Sequence, residues 1–200
     1  MQLSFSHRKA TQALTFFAEQ AGGSLNKMKA LKLMFFADRY HLRKFGRSIT
    51  NDTYFAMKFG PVASGCRNLQ NGPDEYGATS ADSYASEFLD CTQQYDYSSR
   101  KPVDEDVFSK SDQEALSYAW ENYKQQDQFQ LADETHRFPE WKKHEAALGT
   151  PDVSRRPMPY SDFLENPAEN VEPIPPLTPQ DQADLREEIA ELHAIEGVWS

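Results

Sequence analysis

Residues 26–45, NKMKALKLMFFADRYHLRKF, decide the fold. Leu31, Met34, Phe35, Leu42 and Phe45 form an apolar stripe at helical spacing, and Leu33, Phe36, Ala37 and Tyr40 form a second beside it. A helix with two adjoining apolar stripes cannot rest one face in water, so the pattern predicts a central, largely buried helix. Asn26, after Leu25, supplies an N-cap side chain. Gly46, after the basic pair Arg43-Lys44, supplies the stop.

Working outward, Ser6 is placed to cap a first helix that carries Ala10, Ala13, Leu14, Phe17 and Ala21 on one side and ends at Gly22-Gly23. The short connection to Asn26 implies an antiparallel helical hairpin. Beyond Gly46 the period changes. Ser48-Ile49 and Tyr54–Phe59 flank Asn51-Asp52, which predicts a β-hairpin turning at that pair, with Phe55, Met57 and Phe59 as the apolar face of its second strand. Gly60-Pro61 is expected to break the strand, with Pro61 opening a helix to about Gln70. Residues 71–106 read as a loop with short strands around Phe88–Tyr97 and Arg100–Val103. Helices resume at Ser111, where Ser-Asp-Gln-Glu has capping-box spacing ahead of Ala115, Leu116, Ala119, Trp120 and Tyr123. Asp127 caps a helix through Leu131 to His136, and Pro139 starts a short one bearing Trp141.

From Pro151 the composition changes. Eight of the twelve prolines lie between Pro151 and Pro179 among acidic residues, a pattern that predicts an extended linker over 151–177. Thr178-Pro179-Gln180-Asp181 opens a last amphipathic helix over 178–200, with Leu185, Ile189 and Leu192 on one face. A lone helix of this length is marginal in water, so it must dock, on its own domain or on a partner. The fold class expected is α+β and mainly α-helical: a helical core over 1–150 with a small antiparallel hairpin or sheet, then linker and terminal helix.

Charge is asymmetric. Residues 1–70 hold eleven Lys and Arg against three acidic residues, whereas 71–200 hold ten against twenty-eight. An acidic tail folding back on a basic domain, and steering of a charged partner, both follow from such a split. The basic set on and after the central helix, with Lys29, Lys32 and Arg43 foremost, is the candidate nucleic-acid contact, although its spread around the helix and the net charge of −10 make nucleic acid an unfavoured partner. The longest apolar run is far too short for a bilayer, so no membrane insertion is expected. Two cysteines without CxxC spacing, and no signal-peptide pattern, suit a reduced, cytoplasmic protein with structural thiols.

Catalytic signatures are missing. The chain has no Gly-rich phosphate loop, HExxH, zinc-type cysteine pairing or nucleophile elbow. His136 and His144 flank Pro139 without a third ligand in register, so no metal and no cofactor are expected. The inventory is that of a binding protein and not an enzyme.

Two blocks carry a resemblance. The first is Lys29–Gly65, with KLMFFADRYHLRKFGRSI followed by YFAMKFGPVASG; the second is Leu116–Trp141, LSYAWENYKQQDQFQLADETHRFPEW. Together they resemble the Panacea domain, also called the SocA-like or phage-associated GepA-like family, over about residues 5–145. The positions that match are Lys29, Leu31, Lys32, Leu33, Phe36, Ala37, Gly46, Arg47, Ala56 and Lys58 to Val62, then Leu131, Thr135, His136, Pro139 and Trp141. Ser48 departs from the proline usual in the family, Lys124–Asp127 lacks the usual glycine, and the extension past residue 150 lies outside the pattern.

The resemblance implies an antitoxin that neutralises a toxin encoded beside it by direct contact, a role in phage defence, and a cognate toxin protein as partner. One branch acts as a proteolytic adaptor, so a protease is a further partner, and a second copy of the chain another; a DNA-binding autoregulator is the remaining alternative. Lys58, Phe59, Gly60, Pro61 and Val62, with Thr135, His136 and Trp141, are the partner-binding candidates. The aromatic and cation beside backbone N–H groups at the start of the expected helix suit a partner's acidic or carbonyl groups, and Trp is enriched at binding hot spots. The same residue types also serve a turn, a helix end and a core, which leaves both roles open.

Overall fold

A computed structural model of the chain describes residues 4–71, 80–168, 171 and 173–199. At its centre is α2 (Lys27–Phe45), buried around most of its circumference: Leu33, Met34, Phe35, Ala37 and Leu42 are fully covered. Both ends are closed as expected. Asn26 Oδ1 accepts from the Met28 and Lys29 amides, and Gly46 takes the left-handed conformation, φ 68°.

Preceding it are α1 (His7–Gln20), with Ala10, Ala13, Leu14 and Phe17 in the core, and the short β1 (Ser24–Asn26). Ser6 occupies the cap position of α1, but its hydroxyl does not cap; its amide instead donates to the Thr50 carbonyl. After α2 come β2 (Tyr54–Met57), β3 (Gly60–Ala63), α3 (Ser64–Asn71), α4 (Ser80–Phe88), β4 (Leu89–Asp90) and β5 (Asp96–Ser99). Then follow α5 (Lys110–Tyr123), α6 (Gln128–Thr135), α7 (Pro139–Lys142), α8 (Glu145–Leu148), β6 (Arg155–Met158) and α9 (Pro179–Trp199). Two antiparallel three-stranded sheets, β1-β5-β4 and β3-β2-β6, flank the helices, so the protein is α+β and mainly helical. Among the described residues no helix is long and apolar enough to cross a membrane.

Several expectations are corrected. The hairpin turns at Lys58-Phe59 and not at Asn51-Asp52, because Gly60-Pro61 continues as the second strand, with Met57 opposite Gly60 and Ala56 opposite Pro61. Pro61 is tolerated because β3 lies at the sheet edge. Asp52 serves a helix instead. Its carboxylate accepts from the Gly65 and Cys66 amides at 2.6 and 2.8 Å, capping α3, which starts at Ser64 and not at Pro61. The apolar face of β2 is also reversed. Tyr54 and Ala56 face the core, while Phe55 and Met57 are only half-buried. Tyr54 is drawn inward by its hydroxyl, which donates to the buried Asp38 carboxyl at 2.8 Å.

Parts of residues 71–106 lie outside the described residues. In the described part Ser80–Phe88 is helical, and Arg100–Val103 is not a strand. The capping box of α5 is built by Ser109 with Asp112, two residues ahead of the expected Ser111. Asp127 and Gln130 box α6, and Pro139 takes the first turn of α7, as expected.

The largest correction concerns the proline-rich stretch expected as linker. Arg155–Met158 pairs with β2 along its whole length, and residues 160–164 form a 3-10 turn that places Phe163 and Leu164 fully in the core. Phe163 lies 5.5 Å from the Phe35 ring and 5.2 Å from Tyr54. The cause is on α2. Arg39, one turn before Arg43, pairs with Glu140 at 2.9 Å and donates to the carbonyls of Phe163 and Glu165. Arg43 donates to the carbonyls of Leu164 and Glu165 and to the Asn166 side chain. A proline-rich chain keeps its carbonyls unpaired within itself, and two buried guanidinium forks satisfy them.

After it, Thr178 and Asp181 cap α9 reciprocally. α9 packs on the 160–164 turn, Ile189 is buried and Leu185 half-covered, and the Glu188 carboxylate sits against Gly46. The terminal helix docks on its own chain.

Candidate functional site

The candidate partner-binding residues divide into an exposed tip and its buried support. Lys58 and Phe59 form the β2–β3 turn; Phe59 is 57% exposed, with the Lys58 ammonium over its ring. Gly60 and Pro61 are buried and Val62 half-buried. Beneath the turn, Thr135 is fully buried, its hydroxyl donating to the Ala132 carbonyl. His136 stacks on Trp141 with ring centroids 3.7 Å apart, and Trp141 Nε1 donates to the Met57 carbonyl at 2.8 Å. Thr135 and Trp141 therefore hold the hairpin from below, with His136 half-buried beside them.

Gly60 marks the closest approach. Its φ is +93°, and a Cβ there would strike Thr135 Oγ1 and come within 2.6 Å of Lys32 Nζ. Gly60→Ala is expected to lower stability by about 2–4 kcal/mol, from left-handed strain plus overpacking. Denaturant unfolding reads this directly, and an unchanged midpoint would mean that the turn is free to lift off its support.

Lys32 projects into this support from α2. Its ammonium is buried, donates to the Pro61 carbonyl at 2.8 Å and has no ion pair with any described residue. Burial pulls its pKa down to about 7. Burial, followed by the nearby Lys32 charge, also lowers the His136 imidazole, so the pair does not favour a second proton.

Beside the turn opens a groove of about 750 Å³. Met28, Leu31 and Lys32 form one wall, Met57 to Phe59 and Val62 the second, with Arg67 of α3 and residues 148–151, 153 and 154 closing it. Among the described residues no carboxylate lines it. Sequence patterns single out Lys58, Phe59 and Val62 but miss Met28, Leu31 and Arg67. The signal available is the spacing of Met28, Leu31 and Lys32, which puts two apolar residues and a cation on one stripe of α2.

The nucleic-acid candidates fare differently. Lys32 is sequestered, Arg43 is spent on residues 163–166, and Lys29 donates to the Lys124 carbonyl at 2.7 Å. These three do not form a basic surface, because each satisfies an internal carbonyl. Cys66 is buried and Cys91 partly so, and burial pushes both thiols up, Cys66 well above the usual range. Among the described residues no three His, Cys, Asp or Glu side chains converge as a metal site would require.

Compared with known proteins, residues 31–142, more than half of the chain, match the family described as antitoxin SocA-like, Panacea domain. The matched span runs from the second turn of α2 through α7, and so contains the hairpin, Gly60 and the Thr135–Trp141 support. No curated protein and no solved structure matches.

Proposed function

The chain belongs to the antitoxin SocA-like Panacea family, and from that premise we propose that it is the antitoxin of a type II pair, neutralising the toxin encoded beside it by direct binding. The observation that carries this reading is the Phe59 turn, an exposed aromatic held rigidly over an apolar groove. Exposed aromatics beside a largely apolar groove have the character of binding hot spots. Two further exposed rings are placed near the same end of α2. The Tyr95 carbonyl accepts from the Lys27 amide, and Phe129 lies in the first turn of α6, whose cap Asp127 acts on Lys29.

The mode of action is coverage of the toxin by a preformed surface, without a covalent step by this chain. A toxin gripped at this groove is released slowly because the hairpin is braced by Trp141, Gly60 and Lys32 and loses little freedom on binding.

Co-expression with the product of the neighbouring reading frame tests the proposal. The wild-type chain rescues growth and co-purifies with that product. Phe59→Ala combined with Lys58→Glu loses about 2 kcal/mol or more of affinity and fails to rescue, while its circular dichroism and melting stay those of wild type. Full rescue by the folded double variant removes the turn from the interface.

A further inference from the structure

Three cations that lack a carboxylate partner among the described residues, one of them buried, gather in one place. Lys9, Arg39, Lys44, Arg47, Arg100, Lys101, Lys124, Arg137 and Lys143 each have a carboxylate partner. In a protein of net charge −10 acidic groups are plentiful, so a buried cation in a lining without one is the feature that calls for a reason. Lys32, Lys58 and Arg67 all line the one groove, and none pairs with an acidic group among the described residues. The described groove lining contains no Asp or Glu. Most of the remaining lining is apolar, with Leu148, Pro151 and Val153 facing the two methionines.

Each part of this arrangement selects an occupant. A buried ammonium without a counter-ion is unfavourable where it stands, and an arriving carboxylate relieves it. Apolar walls lower the local dielectric and strengthen that attraction over what it would be in water. The acidic remainder of the surface repels the same ligand elsewhere, so charge also provides selectivity. A bare polyanion gains nothing from the apolar walls, and a purely apolar segment leaves the buried Lys32 without a counter-ion and covers the exposed Lys58 and Arg67 without pairing them.

We propose that the groove receives a segment of the toxin in which a carboxylate side chain stands among apolar residues, the carboxylate directed to Arg67 and Lys58 above Lys32 and the apolar side chains covering Met28, Met57 and Phe59. This inference rests on the docking reading above and adds the chemistry of the partner.

Two short fluorescent peptides test it with the full chain. They share one Leu- and Phe-rich sequence and differ only in carrying Glu or isosteric Gln at fixed positions. Anisotropy is expected to give the Glu peptide about tenfold tighter binding, a margin that collapses near about 1 M salt, where the screening length is about 3 Å. Shifts of the Met28 and Met57 methyl signals place the peptide in the groove. Arg67→Gln with Lys58→Gln abolishes the preference for Glu, while Phe59→Ala weakens both peptides alike. Equal binding of the two peptides, no binding of the Glu peptide, or a preference untouched by the double Gln variant overturns the inference. Growth rescue separates the two levels. If Phe59→Ala impairs rescue of the toxin but the double Gln variant does not, the surface stands and its acidic occupant is wrong. If Phe59→Ala with Lys58→Glu leaves rescue intact, the docking reading itself has failed.

Discussion

Replacing Arg39 by methionine lowers the unfolding free energy by about 3–5 kcal/mol, the range for breaking a buried ion pair from one side. Arg39 and Glu140 are 1% and 0% exposed, and the guanidinium also lies 4.6 Å over the Phe138 ring. The variant takes Arg39 away from the buried Glu140 carboxylate and leaves the carbonyls of Phe163 and Glu165 to Arg43 alone. For a chain of 200 residues the loss corresponds to a fall in melting temperature of roughly 10 °C. The double variant Arg39→Met with Glu140→Met recovers part of it, because a paired deletion leaves no orphaned charge. Limited proteolysis adds the structural readout: cleavage in residues 155–168 should accelerate in Arg39→Met, since that segment is held to α2 by Arg39 and Arg43. A loss below about 1 kcal/mol would mean that solvent reaches the pair and that the proline-rich stretch is anchored by other contacts.

Lys32→Met has the opposite sign. Burial lowers the Lys32 pKa from 10.5 to about 7, so the folded state binds fewer protons than the unfolded chain between those values. Its contribution to stability is therefore present above about pH 10.5 and lost as pH falls toward 7. The shift corresponds to several kcal/mol at neutral pH, partly offset by the hydrogen bond to the Pro61 carbonyl. Methionine fills a similar volume, and the variant should be more stable than wild type by about 1–3 kcal/mol at pH 7. The rise in stability between pH 7 and 10 should flatten. Asp38 works in a separate window. Its carboxyl is raised to about 7, first by burial, so its contribution is lost as pH climbs from about 4 to 7 and is untouched by the Lys32 change. The same variant should bind toxin or the Glu peptide more weakly. Stability gained together with affinity lost is the signature of a residue kept for binding; a destabilised Lys32→Met would show that the lysine is structural.

Inference from residue order succeeds where one local pattern has one outcome. The two stripes of Asn26–Phe45 demand burial whichever neighbours supply it, and Asn26, Gly46, Asp127 and Pro139 mark helix ends through groups within four residues of themselves. It fails where a residue answers to a distant partner. Asp52 resembles a turn residue, but its acceptors serve amides thirteen and fourteen positions on. Tyr54 rather than Phe55 faces inward because of Asp38 on another element. Gly60-Pro61 resembles a strand breaker, whereas at a sheet edge it is compatible with pairing, and the missing side chain makes room for Lys32 and Thr135. Of the candidate site, Phe59 and Lys58 are legible as an aromatic and a cation next to Gly60-Pro61, although the helix start expected there is a hairpin turn. Arg67 and the wall at residues 148–154 are not, since only the packing of α3 and the chain after α8 brings them to that turn.

A buried central helix, a mainly helical α+β chain, the lack of catalytic signatures and the family to which residues 31–142 belong are all contained in the order of the amino acids. Each follows from spacing along the chain or from residue identity, which need no knowledge of what lies opposite. What the basic residues of the first half are for was settled only by the packed chain. Arg39 and Arg43 fold inward onto a proline-rich segment more than a hundred residues away, and Lys32, Lys58 and Arg67 are left as the uncompensated lining of one groove. Formal charge counts the same in both places; whether it is neutralised depends on which carbonyls and carboxylates the fold brings within hydrogen-bond reach.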